Sequence, residues 1–235
     1  MSKFLKQQKE KSKVLCVKGA AGEKMVTEFI IIRHGESVAN LSKIYAGHTD
    51  FELSDKGMVQ AKSAADYFKD ENISAIYSSD LKRAYKTALP HAEFHSLSVT
   101  PSQDLREVNI GEWEGVPLDE VKLRWPYEFD YEWKQLYGSM TPPGGEPVYD
   151  AGKRMYTKLI EIANKEDGKV LIVSHGGVIR ALWCYAQGVE PSKWAEFVPF
   201  PSNASASVMK FDGEKLIPVK YSFDDYIAEK TYVVS

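Results

Sequence analysis

Cysteine is almost absent from this chain. The two present, Cys16 and Cys184, share no Cys-x-x-Cys spacing and have no histidine cluster beside them, so a disulfide framework and a thiolate metal site both fail. That usage suits a reducing, cytoplasmic setting. Long apolar runs are also missing. None approaches the ~18 residues that would span a bilayer, and Val14-Leu15-Cys16-Val17 is too short for the ~7–15-residue core of a signal peptide. There is no Gly-rich P-loop ending in Gly-Lys-Ser or Gly-Lys-Thr. Internal repeats and low-complexity tracts are lacking as well.

What remains is an ordinary globular composition, 235 residues with 43% hydrophobic and 27% charged, large enough to hold a core without staples. Its net charge of −3 is uneven: residues 1–24 hold seven lysines against two glutamates, a net +5, which leaves −8 for the rest. That leader has no arginine and a single aromatic, Phe4, so it reads as a solvated, mobile tail that binds neither nucleic acid nor membrane. Residues 25–235 are expected to form one catalytic domain.

That domain opens on Phe29-Ile30-Ile31-Ile32, too short for a helix and apolar throughout, as in a strand buried on both faces. It runs directly into Arg33-His34-Gly35-Glu36-Ser37. Ser37 and Asn40 suggest a short helix whose free N–H groups would suit an anion. Ser54 caps a helix over 55–69. A strand at 75–77 ends in Ser78-Ser79-Asp80, with Asp80 as a helix cap, and the next helix starts by carrying Arg83. Residues 105–115 read as an ordered loop, and 117–137 as two short helices broken at Trp125-Pro126. A helix follows over 148–164. The strand 169–173 ends in Ser174-His175-Gly176-Gly177 before a helix over 178–187. Strands near 207–211 and 216–221 flank Asp212-Gly213 as a hairpin.

Strands alternating with helices give an α/β fold. The expected form is a three-layer sandwich with a mainly parallel central sheet, helices on both faces and a small helical cap (112–146) over its C-terminal edge. Right-handed crossovers put parallel strand ends on one edge, so Arg33, His34, Arg83 and His175 should converge there. Two arginines with two histidines suit a dianion: guanidinium keeps its charge and matches phosphate geometry. The carboxylate clusters that a metal phosphatase needs are missing from these strand ends, and neither cysteine lies in a phosphate loop. A histidine is left as the covalent nucleophile.

Arg33-His34-Gly35-Glu36, Leu53-Ser54-Asp55-Lys56-Gly57, Ser78-Ser79-Asp80-Leu81-Lys82-Arg83-Ala84, Leu105-Arg106-Glu107 and Ser174-His175-Gly176-Gly177 follow one another in order. As a set, over about residues 26–221, they resemble the histidine phosphatase superfamily, phosphoglycerate mutase-like branch. The resemblance implies a metal-independent phosphomonoesterase, without cofactor, acting on a small phosphorylated metabolite. It implies that His34 is the nucleophile. Arg33, Arg83 and His175 would bind the phosphoryl oxygens, with Asn40 and the Ala46-Gly47 backbone nearby, and His175 would favour its cation beside the dianion. Glu107 would protonate the leaving alkoxide and later deprotonate the attacking water. Glu107-Val108-Asn109-Ile110-Gly111-Glu112-Trp113-Glu114-Gly115 and Pro143-Gly144-Gly145-Glu146 are similar to phosphatase members, although Pro147 stands where those members commonly carry Ser. The alternatives are a cofactor-dependent mutase-type phosphotransferase and a silent phosphate-binding regulator. His48, His91 and His95 are expected at the surface or as caps, with no role, and Glu36 is expected to pair locally. The cap holds eight acidic residues against three basic, plus seven aromatics expected mostly to form its own small core.

Overall fold

The apolar run at the start of the motif forms β1 (Thr27–Arg33), and its packing explains why no polar residue alternates through it. Phe29 and Ile31 enter one buried cluster, while Ile30 and Ile32 enter another on the opposite face. A strand covered on both sides needs an apolar side chain at every step.

The computed structural model describes residues 26–228 and residue 230; the basic leader 1–24 lies outside the described residues. After β1 come α1 (Val38–Leu41), α2 (Asp55–Phe68), β2 (Ile73–Ser79), α3 (Lys82–His95), β3 (Val99–Ser102) and α4 (Leu118–Arg124). The chain continues with α5 (Val148–Ala163), β4 (Lys169–Ser174), α6 (Gly176–Ala186), α7 (Trp194–Phe197), β5 (Ala206–Phe211) and β6 (Leu216–Phe223). The six strands form one sheet in the order β3-β2-β4-β1-β5-β6. The first four run parallel, and β5 pairs antiparallel with both β1 and β6. Phe68 of α2 and Ala84 and Ala88 of α3 cover one face; Met155 and Leu159 of α5 with Ile179 and Leu182 of α6 cover the other. The result is the expected α/β sandwich around a mainly parallel sheet.

Between 117 and 137, α4 stops before Trp125, as expected, and the second helical stretch is π-helical over Glu128–Trp133. Trp113, Phe129 and Tyr137 are buried, but in one cluster with Phe29, Ile31 and Leu159 of the main core and not in a separate core of the cap, whereas Tyr127 and Tyr131 are exposed.

Three local expectations need correction. Strand β3 went unanticipated: its Pro101 pairs with Ser78 at the sheet edge, where a missing N–H is tolerated. Asp80 is no cap, because its carboxylate takes Arg106 in a two-point bond at 2.7 and 2.5 Å, while Asp50 caps α3 by accepting the Lys82 N–H at 2.7 Å. Most N–H groups of α1 are not free for an anion either. Val38 donates to the Glu52 carbonyl at 2.9 Å, and Asn40 donates to Ser37 Oγ at 3.2 Å in a reciprocal capping box.

Candidate active site

Strands β1 and β4 are neighbours in register, with Arg33 opposite Ser174. The next residue of each, His34 and His175, therefore leaves the same edge at the same level. Their rings meet with centroids 5.1 Å apart at 61°, and the His34 N–H donates to the Ser174 carbonyl at 2.9 Å.

The His34 ring has a defined tautomer. Its Nδ1 lies 2.7 Å from the Gly35 carbonyl; a carbonyl only accepts, so Nδ1 carries the proton and Nε2 keeps its lone pair. Burial, then the Arg83 and Arg33 cations, hold the imidazole well below its ordinary value of 6.5, against the opposing pull of the Gly35 bond.

Arg33 and Arg83 are 4% and 1% exposed. Arg33 Nη1 donates to the Pro201 carbonyl at 2.6 Å. Arg83 Nη1 and Nη2 donate to the Thr49 and Gly47 carbonyls at 2.9 and 2.6 Å, which brings the Ala46-Gly47 turn to the site. Burial pulls both guanidinium groups down to about 10, opposed by the nearby Glu107 carboxylate, so both stay charged at neutral pH. Burial first and the Arg83 cation second push the His175 imidazole well below its ordinary value of 6.5, which a bound dianion would oppose. Arg33 Nε, Arg83 Nε and both ring nitrogens of His175 are buried without a partner. Polar atoms in a dry site are costly unless something meets them, and a phosphoryl group supplies the oxygens these lack.

Asn40 Oδ1 accepts from the Ser37 N–H, Ser37 Oγ and Asn203 Nδ2 at 3.1, 3.1 and 3.2 Å, which fixes the amide orientation and leaves Nδ2 as its remaining donor group. Asn203 Nδ2 also reaches the His34 carbonyl at 3.1 Å. Gly47 has φ +47°, and a side chain there would collide with Glu114 and Ile110.

Glu107 sits against the start of α6. Its Oε1 accepts from the Val108 and Val178 N–H groups at 3.0 and 2.8 Å, and Oε2 accepts from Gly177 at 3.0 Å. The Glu107 carbonyl is held by His48 Nε2 at 2.8 Å and by Arg154 Nη2 at 3.2 Å. Glu36 does pair locally, accepting from Ser54 Oγ at 2.8 Å.

All of the expected site residues (Arg33, His34, Asn40, Ala46, Gly47, Arg83, Glu107 and His175) therefore belong to one assembly. Arg154, His48, Pro201 and Asn203 support it and were missed. Arg154 lies mid-helix in α5, where a charge normally means solvent. The other three act through or on backbone atoms, which leave no pattern in a sequence. Pro147 begins α5 without a side-chain cap; Glu146 beside it instead binds the Asn109 N–H and Arg154. A groove of about 450 Å³ lies elsewhere, between Tyr149, Tyr185 and Pro191, but it lacks the cations and imidazoles gathered at the sheet edge. Among the described residues no group of three histidine, cysteine, aspartate or glutamate side chains could hold a metal ion, and no helix is long and apolar enough to cross a membrane.

A buried cation pair, a neutral imidazole with a free lone pair and an anchored carboxylate can bind a dianion, attack it and move a proton. Comparison with known proteins agrees. The model of the histidine phosphatase superfamily, branch 1, matches residues 29–224. Phosphoserine phosphatase 1 of Hydrogenobacter thermophilus is 32% identical over 205 residues, covering 87% of this chain and 96% of that protein. A 2,3-bisphosphoglycerate-dependent phosphoglycerate mutase of Bartonella henselae is 30% identical over 219 residues, covering 89% and 99%. Among solved structures, a mycobacterial glucosyl-3-phosphoglycerate phosphatase complexed with VO3 superposes with a TM-score of 0.78 at 28% identity, covering 84% of this chain and 99% of that one.

Proposed function

Because this chain belongs to the histidine phosphatase superfamily, we propose that it hydrolyses a small phosphomonoester, without metal or cofactor, by double displacement through a phosphohistidine at His34. The observation that carries this reading is the His34 Nδ1 bond to the Gly35 carbonyl at 2.7 Å, because it directs the reactive lone pair of Nε2 away from the backbone.

In the first step His34 Nε2 attacks phosphorus and the ester P–O bond breaks. Arg33, Arg83, His175 and Asn40 Nδ2 bind the phosphoryl oxygens and stabilise the charge that spreads over them in the transition state. Each hydrogen bond to such charge contributes roughly 1.5–3 kcal/mol. Glu107 gives its proton to the leaving alkoxide. Its Oε2 accepts one backbone N–H whereas Oε1 accepts two, so Oε2 is the oxygen with a lone pair left for proton transfer. In the second step a water attacks phosphorus, the N–P bond breaks, and Glu107 takes the water's proton, restoring both groups.

A mutase must grip a phosphorylated acid in two orientations. The three basic residues of the cap, Lys122, Arg124 and Lys134, are each paired within their own helical turns, which favours hydrolysis.

The test is a phosphoenzyme trap. The chain is reacted with p-nitrophenyl phosphate, quenched in alkali and mapped by mass spectrometry, with His34→Ala as control. Phosphate on His34 that decays quickly in water is the expected result. Phosphate that persists until an acceptor arrives would mean a mutase, and no turnover under rapid-quench sampling would mean a binding protein.

A further inference from the structure

The alcohol side of the site is built from aromatic faces. The two glycines that open α6 locate them. A Cβ on Gly177 would lie 2.7 Å from Glu107 Oε1 and 2.9 Å from the Tyr137 hydroxyl; one on Gly176 would lie 3.0 Å from Arg33 Nε and 3.3 Å from Phe200 Cδ1. Tyr137 therefore stands beside the proton donor and Phe200 beside the phosphate clamp. Trp133 joins them, its ring 5.1 Å from Tyr137, 6.4 Å from Phe200 and 5.8 Å from Tyr45. Tyr45 in turn leads into the Ala46-Gly47 turn that Arg83 holds. Tyr45, Trp133 and Phe200 are each only partly buried.

The basic side chains of the cap and of the Glu107 loop each have a partner. Lys122, Arg124 and Lys134 pair with Asp119, Glu120 and Asp130 at 3.6, 3.1 and 3.0 Å. Arg106 is locked to Asp80 and Arg154 to Glu146. Arg180 has no such carboxylate, but its guanidinium lies 4.7 Å from the Tyr137 ring centre and 5.1 Å from that of Phe200, and it donates to the Ala195 and Val198 carbonyls at 2.6 and 2.9 Å. Glu114, next to the Gly47 turn, adds negative charge.

The geometry points to a leaving-group subsite for a neutral alcohol with a ring or apolar body, in preference to one bearing a carboxylate. This narrowing rests on the phosphatase reading above. A carboxylate would find its cations spent and two acidic side chains close by, while a ring gains edge or face contacts with Trp133 and Phe200.

The experiment compares primary alkyl phosphates with similar leaving groups: 2-phenylethyl phosphate, ethyl phosphate, phosphoserine and 3-phosphoglycerate. Expected is a kcat/KM for 2-phenylethyl phosphate about 10-fold above each of the others, carried mainly by KM, a size suited to one or two aromatic contacts. In Trp133→Ala the ratio of 2-phenylethyl to ethyl phosphate should collapse toward one. Equal or higher kcat/KM on phosphoserine or 3-phosphoglycerate would overturn the subsite and leave the phosphatase standing. If that preference disappeared in Arg180→Gln, Arg180 would be the carboxylate's partner. Turnover of none of the four would overturn the phosphatase reading and the subsite with it.

Discussion

Gly177 and Glu107 compete for one volume. The Gly177 N–H donates to Glu107 Oε2 at 3.0 Å, and a methyl group on the same residue would stand 2.7 Å from Oε1. Only a residue without a side chain can offer that amide to the carboxylate.

Gly177→Ala should therefore behave as a displaced Glu107. We expect Glu107→Gln to lower kcat by about 10²–10⁴ on an alkyl phosphate and much less on p-nitrophenyl phosphate, whose leaving group needs no proton. Gly177→Ala should show the same contrast at smaller size. Equal losses on both substrates would mean that Glu107 only holds the loop.

Arg154 fixes that loop from behind. It donates to the carbonyls of Asp104, Arg106 and Glu107 at 2.8, 3.2 and 3.2 Å, and to Glu146 at 2.7 Å. Arg154→Met keeps the stem and removes the donors. Urea unfolding should show a loss of about 2–3 kcal/mol, and kcat on alkyl phosphates should fall more than on p-nitrophenyl phosphate.

Acid should weaken the fold through its buried histidines. Burial holds His34, His91 and His175 below their ordinary value, His91 down to about 3. Below pH ~6.5 the unfolded chain binds protons there that the folded chain does not, so stability is lost as pH falls. Each histidine adds roughly 1.4 kcal/mol per pH unit to that slope. Urea midpoints at pH 7, 6 and 5 should record the decline, and His91→Leu should remove about one third of it. An unchanged slope in that variant would show that His91 takes up its proton in the folded state.

Chelation gives a separate check on the chemistry. Turnover should survive EDTA and be inhibited by vanadate, which takes up the five-coordinate shape of the transferring phosphoryl group. Loss of activity in EDTA with recovery on adding a divalent cation would contradict a histidine mechanism.

Much of the site was legible because strands buried on both faces announce themselves. Phe29-Ile30-Ile31-Ile32 and Val170-Leu171-Ile172-Val173 are apolar without alternation, and each hands its next polar residues to one edge. Helix ends were less legible. Asp80 has the right residue type for a cap, yet a partner 26 residues away outbids the local N–H groups, and Asp50 caps the helix from a different loop. The 195–205 segment gave no periodic signal, although Pro201 anchors Arg33 and Asn203 anchors both His34 and Asn40. Such bonds join a side chain to a distant carbonyl, and only the folded chain brings the two together.

The pairing of Arg33 with Ser174 across β1 and β4 has a consequence for how such a protein can change. The two imidazoles face each other because two adjacent strands share one hydrogen-bonding ladder, so slipping either strand by a single step would turn a histidine to the opposite face. Insertions and deletions in those strands are closed to this chain. The cap lies outside that ladder, and its exposed turn around Tyr127 and Tyr131 can change length or sequence where the two strands cannot.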